Sequence, residues 1–295
     1  MIDFLKWRSA SYVFSLTLLL AFAGTCVYRY QTRGHIFSYS IDFTGGVQLL
    51  FRADSPIGDI TLKDALTLQG WDSATIRTLS GNEFIVRVKE FISETKGLAQ
   101  SMLEGLQNTF PDKNIVLLEN ESVGPGVGET LRWKAMYAVL LGLIILLAYI
   151  ALRFWSFAYA AGAVIALAHD AFVLLALVLF LDREISVNVI GGILAILGYS
   201  INDTIVIFSQ IRDTLKKRSG ESFENIVNIS LNKTLKRTIL TSVSTGLPVT
   251  IMFLFGGEAL HDLSLVLLVG IIFGTYSSIY VASPVMMYIR SIIGK

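Results

Sequence analysis

The sequence holds a single cysteine, Cys26, among 295 residues, which excludes an intramolecular disulfide framework and any cysteine-based zinc site. Charge is also scarce. Only 16% of the residues are Asp, Glu, Lys or Arg, and the formal net charge of +1 removes a global electrostatic case for binding nucleic acid. No GxxxxGK[ST], HExxH or GxSxG occurs, so nucleotide hydrolysis, zinc proteolysis and serine-elbow chemistry have no motif behind them. The expectation is a protein without metal, cofactor or catalytic residues, driven by energy from elsewhere.

What is abundant is apolar: 53% of the residues, with a mean hydropathy of +0.62. A hydrocarbon layer about 30 Å thick needs roughly 20 apolar helical residues to cross it. Six runs suit: 11–28, 135–152, 158–181, 185–211, 238–255 and 263–289. The first also resembles a signal peptide. Its long apolar stretch, poor cleavage pattern and Thr25 before Cys26 favour an uncleaved anchor. Segment 212–237 carries seven cations, Arg212, Lys216, Lys217, Arg218, Lys233, Lys236 and Arg237, so the positive-inside rule places it in the cytoplasm. As a topology determinant touching anionic lipid it needs no further function, and it lacks the interleaved aromatics of a nucleic-acid patch beyond Phe223. The loops 182–184 and the one containing Glu258, His261 and Asp262 then face outward. Arg153, Arg290, Lys295, Lys6 and Arg8 fall inside, and both termini are cytoplasmic.

The fold class expected is therefore an α-helical polytopic membrane protein of six transmembrane helices with an α+β external domain. Residues 1–28 form a cytoplasmic stub and the first helix, 29–133 the external domain, and 134–295 a five-helix membrane domain. Segment 29–133 holds 10 basic and 13 acidic residues and alternates like a small folded domain. Val47–Arg52 reads as a strand after the Gly45-Gly46 turn, and Thr61–Gln69 as a helix capped by Thr61. Ala74–Leu79 and Glu83–Lys89 form a hairpin around Ser80-Gly81-Asn82. Ser93–Phe110 is a helix with Leu98, Met102, Leu106 and Phe110 on one stripe, and Asn114–Leu118 a last strand. The order is βαββαβ, a ferredoxin-like arrangement. A glycine-rich hinge, Val123–Gly128, leads back to the membrane. Asp42, Asp54, Asp59 and Asp64 make no catalytic carboxylate pair.

Four polar residues stand where hydropathy should have removed them: His169 and Asp170 in the third span, Asn202 and Asp203 in the fourth. An ionised carboxylate in hydrocarbon costs several kcal/mol unless paired, neutralised or wetted. An interhelical hydrogen bond is the bland explanation, and asparagine would supply that at Asp203 without the ionic cost. Asp203 precedes Arg212 by nine residues, about 13 Å of helix. Arg237, with Thr241 and Ser242 a turn deeper, is a counter-charge within reach, or else an anchor snorkelling at a helix end. Gly191, Ala195, Gly198 and Asn202 line up on the fourth span, as do Gly270, Gly274 and Ser278 on the sixth, which suits close helix contacts better than a substrate path. Pro248 predicts a kink in the fifth.

The run Gly198-Tyr199-Ser200-Ile201-Asn202-Asp203-Thr204-Ile205-Val206-Ile207-Phe208 closely resembles the fourth-span signature of the SecF branch of the SecD/SecF protein-export family. Other parts agree in order: Asp42-Phe43-Thr44-Gly45-Gly46, Val123-Gly124-Pro125, His169-Asp170, Arg237-Thr238 and Thr241-Ser242. One departure is Ser209-Gln210-Ile211-Arg212, where the family usually carries an acidic-basic pair. The resemblance implies an RND-related subunit of the bacterial inner membrane with 29–133 in the periplasm. Its implied partners are SecD, the SecYEG channel, YajC, a translocating unfolded polypeptide and the bilayer. It implies use of the proton-motive force late in translocation, with the family's membrane acid and arginine falling on Asp203 and Arg237. Two rivals suit the same residues: a proton-coupled half-transporter of lipid or small molecule, and a structural scaffold for a translocase partner.

Overall fold

The computed structural model describes residues 1–79, 81–88, 95–124, 126–154, 156–218 and 220–293. Ser80, Lys89, the Ser93 start of the expected helix, Pro125 and Lys295 lie outside the described residues, as does the side chain of Glu258. The chain divides into two compact units, Met1–Ser38 with Tyr137–Lys295, and Tyr39–Met136.

Among the described residues, six helices are long and apolar enough to cross a membrane. They are α1 (Arg8–Arg33), α5 (Val127–Phe154), α6 (Phe157–Phe180), α7 (Val187–Lys217), α8 (Phe223–Phe255) and a composite of α9 (Gly257–Ser277), a π-helical turn (Ser278–Ala282) and α10 (Ser283–Ile293). Half or more of the most apolar stretch is buried in α6, α7 and the composite (56%, 50% and 50%), against 6% in α1, α5 and α8. The centre of the bundle is therefore α6, α7 and α9–α10. Small side chains make this possible. Gly162 of α6 meets Ala282 and Met286 so closely that an added Cβ would lie 2.7 Å from the Ala282 carbonyl oxygen, nearer than packed atoms tolerate.

Several helices overrun their expected ends, because apolar length reports the bilayer and not the helix. The segment 212–237, expected as a loop, is mostly the ends of α7 and α8. Ser222 caps α8 by accepting from the Asn225 amide. Ile226, Val227, Ser230, Leu231 and Thr234 give this extension a buried face, and Asn228 and Asn232 hold the backbone of Phe4 and Ile2. The outward loop before the sixth span shrinks to the turn at Gly256, since His261 and Asp262 already belong to α9. Asp262 pairs with Arg183 at 3.2 Å. At the same end Arg29 donates to the Leu179 carbonyl at 2.7 Å and pairs with Asp182 at 2.7 Å, where Arg33 joins at 3.0 Å. α8 runs without interruption through Pro248. The unforeseen irregularity is the π turn, just before Pro284, which has no amide hydrogen to donate; within it the Ser283 hydroxyl donates to the Ser278 carbonyl at 3.1 Å.

The second unit holds α2 (Ile41–Thr44), β2 (Gly46–Arg52), α3 (Asp59–Leu68), β3 (Thr75–Thr78), β4 (Glu83–Val88), α4 (Thr95–Thr109) and β5 (Val116–Val123); two-residue strands β1 (Ser38–Tyr39) and β6 (Glu184–Ile185) lie elsewhere. The sheet order β3-β4-β2-β5 is antiparallel throughout, the order expected of a split βαβ fold. Val47, Leu49, Phe51, Phe84, Val86 and Val88 alternate into a core closed by Leu62, Leu66, Leu98, Met102 and Leu106. Two local expectations are corrected. α3 starts at Asp59 after Gly58, so Thr61 lies inside the helix and is not its cap. The last strand continues to Val123, because Glu119–Val123 pair with Gly46–Leu50, which absorbs the start of the expected hinge.

Candidate functional site

Ser186 accepts from the Val189 amide and starts α7. From there Gly192, Ile196, Ser200, Asp203 and Ile207 follow one buried stripe. Asp203 is only 4% exposed, and among the described residues its Oδ2 has no hydrogen-bond partner. Across the gap, Arg237 of α8 is close enough for its charge to act on Asp203, yet it is exposed. Thr238 beside it is buried with Oγ1 also unpartnered. Asn202, one residue along the helix, is exposed with Gly191, Ala195 and Gly198, and among the described residues an added Cβ at Gly191 or Gly198 would meet nothing within 4 Å. The contact to the sixth span runs instead through Ile196 and Ser200, against Gly270 and Gly274.

The two supporting hydroxyls differ in what they reach. Thr241 donates to its own helix, at the Arg237 and Thr238 carbonyls. Ser242 joins three spans: Tyr199 donates to it at 3.1 Å, and Thr275 lies at 2.7 Å.

A second carboxylate is held quite differently. Asp170 is 1% exposed; its Oδ2 accepts from the Ser200 hydroxyl at 2.5 Å and from the Ser277 hydroxyl at 2.8 Å, while His169 Nδ1 sits 3.2 Å from Oδ1. His169 is 6% exposed with Nε2 unpartnered, its ring 6.0 Å from that of Tyr276. Asp170 thus ties α6, α7 and α9 together just before the π turn. Nothing in the sequence singles out Ser277, and Ser200 enters only as part of the fourth-span run, with no role of its own. The only signal was Ser200 lying three residues before Asp203, one turn along the same face. Arg212, in the segment that departs from the family pattern, lies 5.8 Å over the Phe154 ring.

In the second unit, Asp42 Oδ2 accepts from the Ser40 hydroxyl at 3.0 Å, Phe43 is buried, and Thr44 donates to the Ser40 carbonyl at 3.1 Å. Gly45 and Gly46 take φ of +73° and +119°, so they end the one-turn helix and open β2 rather than forming a hairpin turn. Gly128 rests on this motif: an added Cβ would stand 2.9 Å from the Gly45 nitrogen and the Phe43 carbonyl carbon. On the same sheet face Arg87 Nε donates to Gln48 Oε1 at 2.6 Å, and Gln48 Nε2 to Glu121 at 3.2 Å.

Partial loss of water around Glu121 raises its carboxyl above the usual range; the charges of Asp42 and Glu119 add to this and Arg87 offsets part. A raised acid favours the folded state most below its unfolded pKa, and that contribution is lost as pH rises through the folded value. Glu121→Gln is therefore expected to increase amide-exchange protection of β2 and β5 at pH 8 and to leave it unchanged at pH 4, each compared with wild type at the same pH. Equal protection at pH 8 would contradict the repulsion.

Among the described residues no cluster of three or more His, Cys, Asp or Glu could hold a metal ion. Residues 103–291 match the family described as Protein export membrane protein SecD/SecF, C-terminal, and residues 37–57 match the SecD/SecF GG motif. Protein translocase subunit SecF from Rhodothermus marinus is 36% identical over 98% of this chain and 93% of its own length. SecF from Escherichia coli O157:H7 is 34% identical over 95% and 85%. The crystal structure of SecDF from Thermus thermophilus superposes with a TM-score of 0.85 at 34% identity, covering 98% of this chain but 39% of that one. The six apolar helices, the antiparallel domain opened by the Gly45-Gly46 motif and these likenesses place the chain in the SecD/SecF family of protein-export membrane proteins.

Proposed function

We propose that the chain is a proton-driven subunit that acts with SecD beside the SecYEG channel, with YajC as an accessory, to draw unfolded polypeptides across the bacterial inner membrane. Both termini and the 212–237 segment face the cytoplasm, and 29–133 faces the periplasm. The observation that carries this reading is Asp203: a carboxyl buried in the bundle whose Oδ2 has no hydrogen-bond partner among the described residues, with the exposed Arg237 near enough for its charge to act on it. Neutral Asp203 rests there without ionic cost. Ionised Asp203 requires a counter-charge, which draws Arg237 inward and closes α7 on α8, with Ser242 and Thr241 lining the approach. Asn202 and the glycines beside it present an open strip for a helix of SecD. That partner is supported by the SecDF relative of Thermus thermophilus, of whose length this chain matches 37%, and the solved SecDF is described as translocon-associated. The external domain would contact the client, and no step of the cycle calls for a catalytic residue.

The test is export into inverted membrane vesicles containing the native complex. Collapsing the proton gradient after the motor has stopped should arrest chains in mid-passage, with no such effect in vesicles lacking this subunit. Completion at an equal rate with and without the gradient would refute the proposal.

A further inference from the structure

Two clefts share one wall at the end of the bundle where α1 begins and α10 ends. One, of about 420 Å³, is polar and lined by Asp3, Lys6, Arg8, Ser222, Glu224 and Asn225 among others. The other, of about 410 Å³, is lined by Tyr12, Phe223, Pro284, Met287 and Tyr288 with the same Arg8 and Glu224. Each volume is within the range of small-ligand sites. The shared wall is the Arg8–Glu224 ion pair at 2.7 Å, whose side chains are 44% and 61% exposed, so both groups keep hydrogen-bonding positions open to the clefts. Arg290 stacks 4.2 Å over Phe223 and fixes it as a floor.

We propose that this double cleft binds a phospholipid with a primary-amine headgroup. Its charges balance, with Lys6 and Arg8 against Asp3 and Glu224, which matches a zwitterion and not a purely anionic headgroup. The phosphate sits against Arg8 and the Ser222 end of α8, where the Phe223 and Glu224 amides precede the first helical carbonyl partner and only the Asn225 amide is capped by Ser222. The ammonium reaches Glu224, and the glycerol and first acyl carbons enter the apolar cleft. Tyr12 and Tyr288, both exposed, flank that entrance as tyrosines do at a membrane–water boundary. A headgroup whose nitrogen carries methyls in place of hydrogens cannot donate to Glu224. The bound lipid bridges α1, α8 and α10, three elements already joined there by side-chain contacts.

The experiment reconstitutes the full-length chain in nanodiscs of equal parts phosphatidylethanolamine, phosphatidylcholine and phosphatidylglycerol, re-extracts it in mild detergent and counts retained lipid by mass spectrometry. The expected result is enrichment of phosphatidylethanolamine by about tenfold over phosphatidylcholine, the scale of one charge-assisted hydrogen bond. Retention should fall stepwise through the mono- and dimethylated headgroups. Glu224→Gln, at an exposed position, should bring the ethanolamine and choline lipids to parity and raise retention of phosphatidylglycerol, because it leaves Lys6 and Arg8 facing Asp3 alone. Equal retention of the two zwitterions by wild type, preferential retention of phosphatidylglycerol, or an ethanolamine preference that survives Glu224→Gln would each overturn the proposal.

Discussion

Asp203→Asn is expected to abolish the gradient-dependent part of export while leaving the subunit folded and assembled. The side chains are nearly the same size, and an amide at this buried position of α7 carries no ionic cost. What it loses is the exchangeable charge. A proton crossing a gradient equivalent to about 180 mV releases roughly 4 kcal/mol, which biases a two-state element by about a thousandfold. Without the exchange that bias is zero, so stimulation by the gradient should vanish and not merely diminish. Arg237→Gln should have the same outcome for the opposite reason, since ionised Asp203 would then have no counter-charge to draw in. Arg237→Lys should restore part of it. The double variant Asp203→Asn, Arg237→Gln should be no worse than either single change, because both interrupt one cycle. Export by Asp203→Asn that still accelerates in a gradient would remove the basis of this mechanism.

The second large effect concerns Asp170, where a structural loss is expected. Asp170→Leu removes the acceptor of the Ser200 and Ser277 hydroxyls and strands His169, which is buried beside it. Breaking such a buried network costs about 3–5 kcal/mol. Thermal unfolding of the purified protein in detergent should fall steeply, and complex yield with it. Asp170→Asn keeps one acceptor oxygen and should recover much of that stability. If Asp170 also carries protons, the asparagine variant will assemble and yet fail to respond to a gradient. If it only holds helices together, that variant will respond normally. The two carboxylates are thereby separable: one has a free oxygen, the other has none to spare.

Much of this was legible in the sequence because the bilayer imposes a length and an apolarity that few other environments demand. The six spans and the antiparallel domain follow from that and from period-two alternation in β2 and β4. What escaped has particular causes. The facing ends of α7 and α8 carry six of the seven cations of segment 212–237, and charge was read as loop although Phe223, Ile226, Val227, Ser230 and Thr234 recur at helical spacing. Among the site residues, Asp203 is buried while its neighbour Asn202 faces out, a distinction that needs the helix's phase. His169 and Asp170, which diverge by about 100° on a helix, still touch because both side chains lean toward one another. Ser200 and Ser277 were silent because serine is common in membrane helices. Only the third dimension gathers them around one carboxylate.

The π turn at Ser278–Ala282 also changes which neighbour the last helix serves. Above it, Gly270 and Gly274 lie against Ile196 and Ser200 of α7; below it, Ala282 and Met286 lie against Gly162 of α6. One additional residue in a turn advances everything downstream by about 100° around the axis. A regular helix would have kept a single azimuth and a single companion, whereas this one hands its inward-looking edge from one companion to the next midway along its length. Wound as a regular helix with no residue removed, the same chain would turn the Ala282–Met286 edge by about 100° away from Gly162, with no change in composition or hydropathy to betray it.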